Sequence, residues 1–183
     1  LPDAGLYRWT DSSSQDRPAG GGAITTGWAV GIVFYRAHVL SGNTQFVDDL
    51  CAAIAAAGAT PVPVWCYSLR PGPDGRVPAL ELLAEAGVDA VITTVLAMGS
   101  ARGDDWDASA LAALDVPVVQ ALTLTRPAAD WEASPHGLSP LDAAMNVAIP
   151  EFDGRIISVP FSFKERVDDG RGLLDGGSGA AVP

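Results

Sequence analysis

An α/β fold with a mostly parallel sheet is what this sequence predicts, on three observations. Apolar runs of strand length recur along the chain, segments with helical spacing or capping residues lie between them, and the connections are short. Strands covered on both faces read as near-continuous apolar stretches, and residues 29–35 (AVGIVFY) make one. Residues 43–57 follow as a helix. Asn43 is a good N-cap, Phe46, Val47, Leu50 and Ile54 keep helical spacing, and Gly58 stands where a left-handed C-cap falls. Residues 60–67 (TPVPVWCY) read as the second strand. Pro61 and Pro63 each remove a ladder donor there, which places it at a sheet edge or makes its first half irregular. A helix begins near Pro78, a favoured first-turn residue, and stops at Gly87. The third strand spans 89–95, a short helix 107–114 and the fourth strand 116–122. Ser139 caps a helix over 140–148, and the fifth strand spans 155–163. Right-handed crossovers then leave a three-layer sandwich around a mostly parallel five-stranded sheet, flavodoxin-like or Rossmann-like.

The 183 residues suit one compact domain. Its expected extent is 28–166, between flexible linkers at 1–27 and 167–183. Residues 11–22 (DSSSQDRPAGGG) and 168–183 (DDGRGLLDGGSGAAVP) are too rich in Gly, Ser, Asp and Pro to bury surface that offsets their chain entropy. Such flexible joints are what a domain cut from a longer protein would show. Hydrophobic residues at 48% against 18% charged ones supply a core. Eleven Lys+Arg against 22 Asp+Glu give a net charge of −11, and Lys164 is the single lysine. That balance argues against nucleic acid and against anionic membrane surfaces as partners. Mean hydropathy is +0.22. A bilayer span takes about 20 apolar residues, however, and the run at 29–35 is interrupted at once by Arg36 and His38. No secretory signal is visible, although a start at Leu1 could conceal one. Cys51 and Cys66 read as buried thiols in a reducing cytoplasm.

Ligands of open α/β sheets gather beyond the carboxyl ends of the strands. This directs attention to residues 35–43, the loop that joins the first strand to the first helix. Arg36 supplies charge, His38 can bind a proton or a metal, Ser41 and Asn43 offer polar contacts, and backbone N–H groups could hold an anion. The alternative for the same residues is a turn plus cap, with His38 bonded to a backbone carbonyl. Glu151 and Asp153 could set two carboxylates side by side for proton or metal work, or simply form a turn with Gly154. The stretch 97–106 reads as a mobile connection near a pocket, and its Arg-Gly-Asp at 102–104 as a chance match. No phosphate-gripping P-loop, dinucleotide fingerprint or GxSxG elbow is present. His38 and His136 are the only histidines and have no partner at metal-motif spacing, so His38 is at most a weak metal candidate.

Several blocks in order resemble one family. They are VGIVFYRAH at 30–38, SGNT at 41–44, VWCYSLR at 64–70, DAVITT at 89–94, Trp106-Asp107, LDVPV at 114–118, Trp131, GLSP at 137–140 and IPEFDG at 149–154. Together they resemble the CobN/magnesium chelatase H-subunit family, on its cobaltochelatase large-subunit side. Magnesium-inserting relatives tend to carry Thr-Gly-Asp where Ser41-Gly42-Asn43 stands, and they lack the Cys-Tyr-Ser run at 66–68. The resemblance implies ATP-dependent insertion of cobalt(II), as substrate, into hydrogenobyrinic acid a,c-diamide during aerobic cobalamin biosynthesis. It further implies that this chain is an N-terminal-region piece of a much longer subunit. An AAA+ ATPase subunit would hydrolyse ATP-Mg, together with a subunit carrying an adhesion-type domain. Most chelation residues are expected outside the chain, which is not expected to be active alone. Arg36, His38, Ser41, Asn43, Glu151 and Asp153 are the candidates for substrate contact. The competing class is a non-catalytic α/β ligand-binding or docking module, or a porphyrin-binding segment of a magnesium-chelatase-type subunit.

Overall fold

The computed structural model describes residues 2–10, 27–96, 100–102, 105–165, 167–168 and 174–175. A short strand β1 (Ala4–Leu6) comes first, then β2 (Ala29–Tyr35), helix α1 (Arg36–Ser41), helix α2 (Gln45–Ala56) and β3 (Thr60–Cys66). Helix α3 (Pro78–Ala86) and β4 (Ala90–Thr93) follow, then an antiparallel pair, β5 (Ser100–Arg102) with β6 (Asp105–Asp107). Short α4 (Ser109–Ala112) leads to β7 (Val118–Leu124) and α5 (Ala128–Glu132). A composite helix of α6 (Pro140–Ala143), a π turn (Ala144–Ala148) and α7 (Ile149–Phe152) then precedes β8 (Ile156–Phe163). Residues 97–99 and 103–104, within the predicted mobile connection and its Arg-Gly-Asp, lie outside the described residues, as do 11–22.

The sheet has six strands in the order β1-β3-β2-β4-β7-β8, with β1 antiparallel and the others parallel. Its five parallel strands, numbered along the chain, run 2-1-3-4-5, which is the flavodoxin-like alternative. Alternation along β2 builds both faces. Ile32 and Phe34 pack with Phe46, Val47, Cys51 and Ile54 of α2, while Val33 packs with Leu80 and Leu83 of α3 and Leu111 of α4. Gly31 lies on the α3 face, and a Cβ there would stand 2.6 Å from Leu83 Cδ2. Both cysteines are free and buried, and burial pushes each thiol up to about 12.

Three expectations are corrected. The segment 1–27 is not wholly linker, because Ala4, Gly5 and Leu6 pair with Cys66, Trp65 and Val64 and make a sixth strand. Three residues are too few to show a strand period. β3 is consequently not the edge. Its Thr60 N–H bonds the Trp28 carbonyl on the β2 side, whereas the Pro63 carbonyl accepts from the Tyr7 N–H on the opposite side, each at 2.8 Å. Backbone groups alternate sides along a strand, so both prolines lack their N–H on the side away from β2, and β1 pairs only with residues 64–66. Third, 35–43 is not a loop but the last residue of β2 followed mainly by α1, and Asn43 is not the cap of α2. Thr44 holds that position. Ser139 does cap α6, its Oγ accepting the Asp142 N–H at 3.1 Å. That helix continues to Phe152 through the π turn, where Pro150 offers no N–H to the carbonyl four residues back. Helix α5 has no apolar period to reveal it. It is held by Trp131, which packs on Phe163 at 6.4 Å and beneath the Arg126 guanidinium at 4.8 Å. The β9–β10 pair (Val167–Asp168 with Leu174–Asp175) falls within the segment assigned to the second linker.

Candidate functional site

Where β2 ends, the chain turns directly into α1, and Gly42 in the left-handed region (φ 71°) stops that helix after six residues. The Asn43 N–H returns to the His38 carbonyl at 2.9 Å and the Gly42 N–H to that of Val39 at 3.3 Å, a Schellman closure. Ser41 Oγ donates to the same His38 carbonyl at 3.3 Å. The turn therefore fixes His38, Ser41 and Asn43 relative to one another. They face a cavity of about 400 Å³ at the carboxyl ends of β7 and β8. Phe46 of α2 forms its apolar wall; Thr123, Thr125, Ser162 and Lys164 add polar groups from the far strands. The His38 ring stands edge-on to Phe46, 4.8 Å between centroids. Burial, and then the Lys164 ammonium, hold its pKa below the ordinary 6.5, so the imidazole is neutral at pH 7.

The other three candidates lie elsewhere. Arg36 Nη1 donates to the Pro2 carbonyl at 2.6 Å and its guanidinium lies 5.1 Å above the Tyr67 ring, which ties it to the β1–β3 side. Glu151 is exposed on α7. Asp153 is fully buried and accepts from Arg155 Nη2 at 2.6 Å. Arg155 Nη1 in turn donates to the Val95 carbonyl and to Gln120 Oε1, so Asp153 belongs to a buried polar cluster that ties β8 to β4 and β7. Glu151 and Asp153 are not a side-by-side carboxylate pair, because the turn sends one outward and the other in. Among the described residues no three His, Cys, Asp or Glu side chains gather as a metal site, and His38 brings a single donor to its cavity. A larger, open depression of about 860 Å³ lies beyond β3, bordered by Tyr67, Arg70 and Arg76, but Arg76 is already held by Glu81 at 2.6 and 2.7 Å. The smaller cavity, which gathers an imidazole, hydroxyls, a carboxamide and an ammonium, is the candidate site.

Lys164, Thr123 and Thr125 were not among the sequence candidates. Their signal was position alone: each lies at or just beyond the carboxyl end of an apolar run, as His38 does. Lys164 is also the chain's only lysine.

Residues 1–176 match the family model described as CobN/Magnesium Chelatase. The chain belongs to this family. Among its members, the aerobic cobaltochelatase subunit CobN of a Sinorhizobium species is 40% identical over 74% of this chain and 10% of its own length. That of Pseudomonas aeruginosa is 34% identical over 88% of this chain and 12% of its own. The magnesium-chelatase H-subunit of Rhodobacter capsulatus is 31% identical over 84% of this chain and 13% of its own. The solved catalytic subunit of cobaltochelatase from Mycobacterium tuberculosis superposes with a TM-score of 0.80 at 43% identity, over 98% of this chain and 14% of that one. This family member thus spans roughly a tenth to a seventh of the length of relatives it matches.

Proposed function

We propose that this chain forms part of the large, tetrapyrrole- and metal-binding subunit of an ATP-dependent cobaltochelatase. The reaction is insertion of cobalt(II) into hydrogenobyrinic acid a,c-diamide, which forms metal–nitrogen bonds during aerobic cobalamin biosynthesis. The observation that carries this reading is the identity ranking. Cobaltochelatase relatives reach 40% and 43%, against 31% for the magnesium-chelatase H-subunit. Metal insertion requires that the ring be distorted, its N–H protons removed and the ion stripped of water. Within that task this segment holds a peripheral part of the macrocycle. Neutral His38, the Ser41 hydroxyl and the Asn43 carboxamide are fixed by one turn and open onto one cavity. As the family resemblance implies, ATP-Mg is hydrolysed by an AAA+ partner acting with a subunit that carries an adhesion-type domain, and the lack of a P-loop in these residues fits that division of labour. The bacterial cobaltochelatase relatives support a cytoplasmic setting for the proposed assembly. Among the described residues no helix is long and apolar enough to cross a membrane.

The test is tryptophan-fluorescence quenching of the full-length subunit titrated with hydrogenobyrinic acid a,c-diamide. Saturable binding weakened by His38→Ala supports the reading. Binding indifferent to His38→Ala, with the fold intact by circular dichroism, removes the substrate from this cavity. A docking role is the second reading. It is favoured by Leu141, Ile156 and Val159, which are 71%, 56% and 73% exposed on α6 and edge strand β8. A fluorescence response to the ATPase subunit, with none to the tetrapyrrole, would select it.

A further inference from the structure

The chain carries 22 Asp+Glu and one lysine, yet among the described residues the His38 cavity is lined by that lysine and by no carboxylate. Acidic groups nearby are turned to other work. Glu165, adjacent to Lys164, accepts the Ala128 N–H at 2.9 Å and so fixes the start of α5. Asp48, in the first turn of α2, accepts from the Tyr7 hydroxyl at 3.1 Å. Among the described residues no carboxylate pairs with the Lys164 ammonium. The Lys164 backbone N–H bonds the Leu124 carbonyl at 3.1 Å, which extends the β7–β8 pairing one residue past the strand and sets the root of the exposed lysine side chain at the cavity. Neutral hydrogen-bonding side chains, Thr123, Thr125 and Asn43, share the lining with it.

We propose that this cavity is a carboxylate subsite, with Lys164 meeting the charge and Thr123, Thr125 and Asn43 supplying hydrogen bonds to the oxygens. The inference rests on the function proposed above and deepens it: the carboxylate is borne on a peripheral arm of the tetrapyrrole. Three features select that ligand. One ammonium beside a neutral imidazole matches a single negative charge better than a phosphate dianion. The cavity, at about 400 Å³, is near the small end of the roughly 300–1,000 Å³ usual for small-molecule sites, so it suits an arm and not a whole macrocycle. The wall formed by Phe46 accepts the methylene stem of such an arm. Lys164 thereby takes the role that the sequence assigned to Arg36, which is committed to Pro2 and Tyr67.

A chain with one lysine permits a direct test. Reductive methylation with ¹³C-formaldehyde keeps the positive charge and labels one side-chain amine within these 183 residues, whose resonance is assigned as the one lost in Lys164→Arg. The labelled full-length subunit is titrated by NMR with propionate, with propionamide and with hydrogenobyrinic acid a,c-diamide. The expected result is a saturable shift of the dimethyl-Lys164 resonance with propionate and none with propionamide. Absence of a saturable propionate shift, with the fold intact by circular dichroism, overturns the subsite whatever the tetrapyrrole does. A shift with propionate but not with the tetrapyrrole keeps the subsite and overturns the function that placed the tetrapyrrole in it. As a second readout, Lys164→Met weakens propionate binding by about three- to tenfold and Lys164→Arg restores it. Equal affinity in all three forms overturns the proposal.

Discussion

At the scale of single residues, Glu151 and Asp153 show how two nearly adjacent carboxylates come to differ. The turn that closes α7 leaves Glu151 in water and carries Asp153 inward against Arg155, with both side chains of that ion pair fully buried. Removing one partner of such a pair strands the other charge without solvent. Asp153→Ala is therefore expected to cost about 3–5 kcal/mol in urea denaturation, and Glu151→Ala to stay within about 0.5 kcal/mol. His38 gives a pH signature. Its folded pKa lies below the 6.5 of the free side chain, so on acidification the unfolded chain takes up a proton before the native state does. Stability is then full above about pH 6.5 and is lost as pH falls through that value toward the folded pKa. Between about pH 7.5 and about pH 5.5 the melting temperature of His38→Gln should fall less than that of the wild type. Of the six candidate residues, His38, Ser41 and Asn43 were brought together because one turn holds them, and a turn is legible locally. The position of Arg36 depended on Pro2 and Tyr67, which no local pattern connects to it.

At the scale of elements, the parallel strands and longer helices follow apolar runs and capping residues closely. β2 and α3 have nearly the bounds that AVGIVFY and the Pro78–Gly87 frame indicate. β1 and α5 were invisible because three and five residues show no period, and each is held by contacts with residues distant in the chain. Gly31 shows what a helix demands of its strand. With Leu83 fully buried against the sheet, a methyl group at position 31 would meet Cδ2 at 2.6 Å. Gly31→Ala should therefore push α3 off β2 and destabilise by about 1–3 kcal/mol, read as a lower urea midpoint. An unchanged midpoint would mean that Leu83 can swing aside freely.

At the scale of the whole molecule, charge and topology act together. A net charge of −11 repels itself over the compact state, and added salt shortens the reach of that repulsion from about 30 Å at 0.01 M to about 8 Å at 0.15 M. The melting temperature is expected to rise by about 2–4 °C over that range, corresponding to about 1 kcal/mol. A fall would instead mean that surface ion pairs such as Arg76–Glu81 outweigh self-repulsion. The 2-1-3-4-5 order places α2 and α3 on opposite faces, and it brings the turn after β2 within one cavity of the far ends of β7 and β8.

By itself the sequence determined the α/β class, the five parallel strands, the burial of both cysteines and the family, and it singled out His38, Ser41 and Asn43, which line one cavity. These are properties of local patterning: alternating burial, helix caps and short motifs act over a few residues. Only the tertiary structure decided the sixth strand, the strand order, the burial of Asp153 and the meeting of Lys164 with His38. Those features depend on how crossovers stack the elements, and the packing of residues far apart in the chain leaves no mark in the sequence around either one.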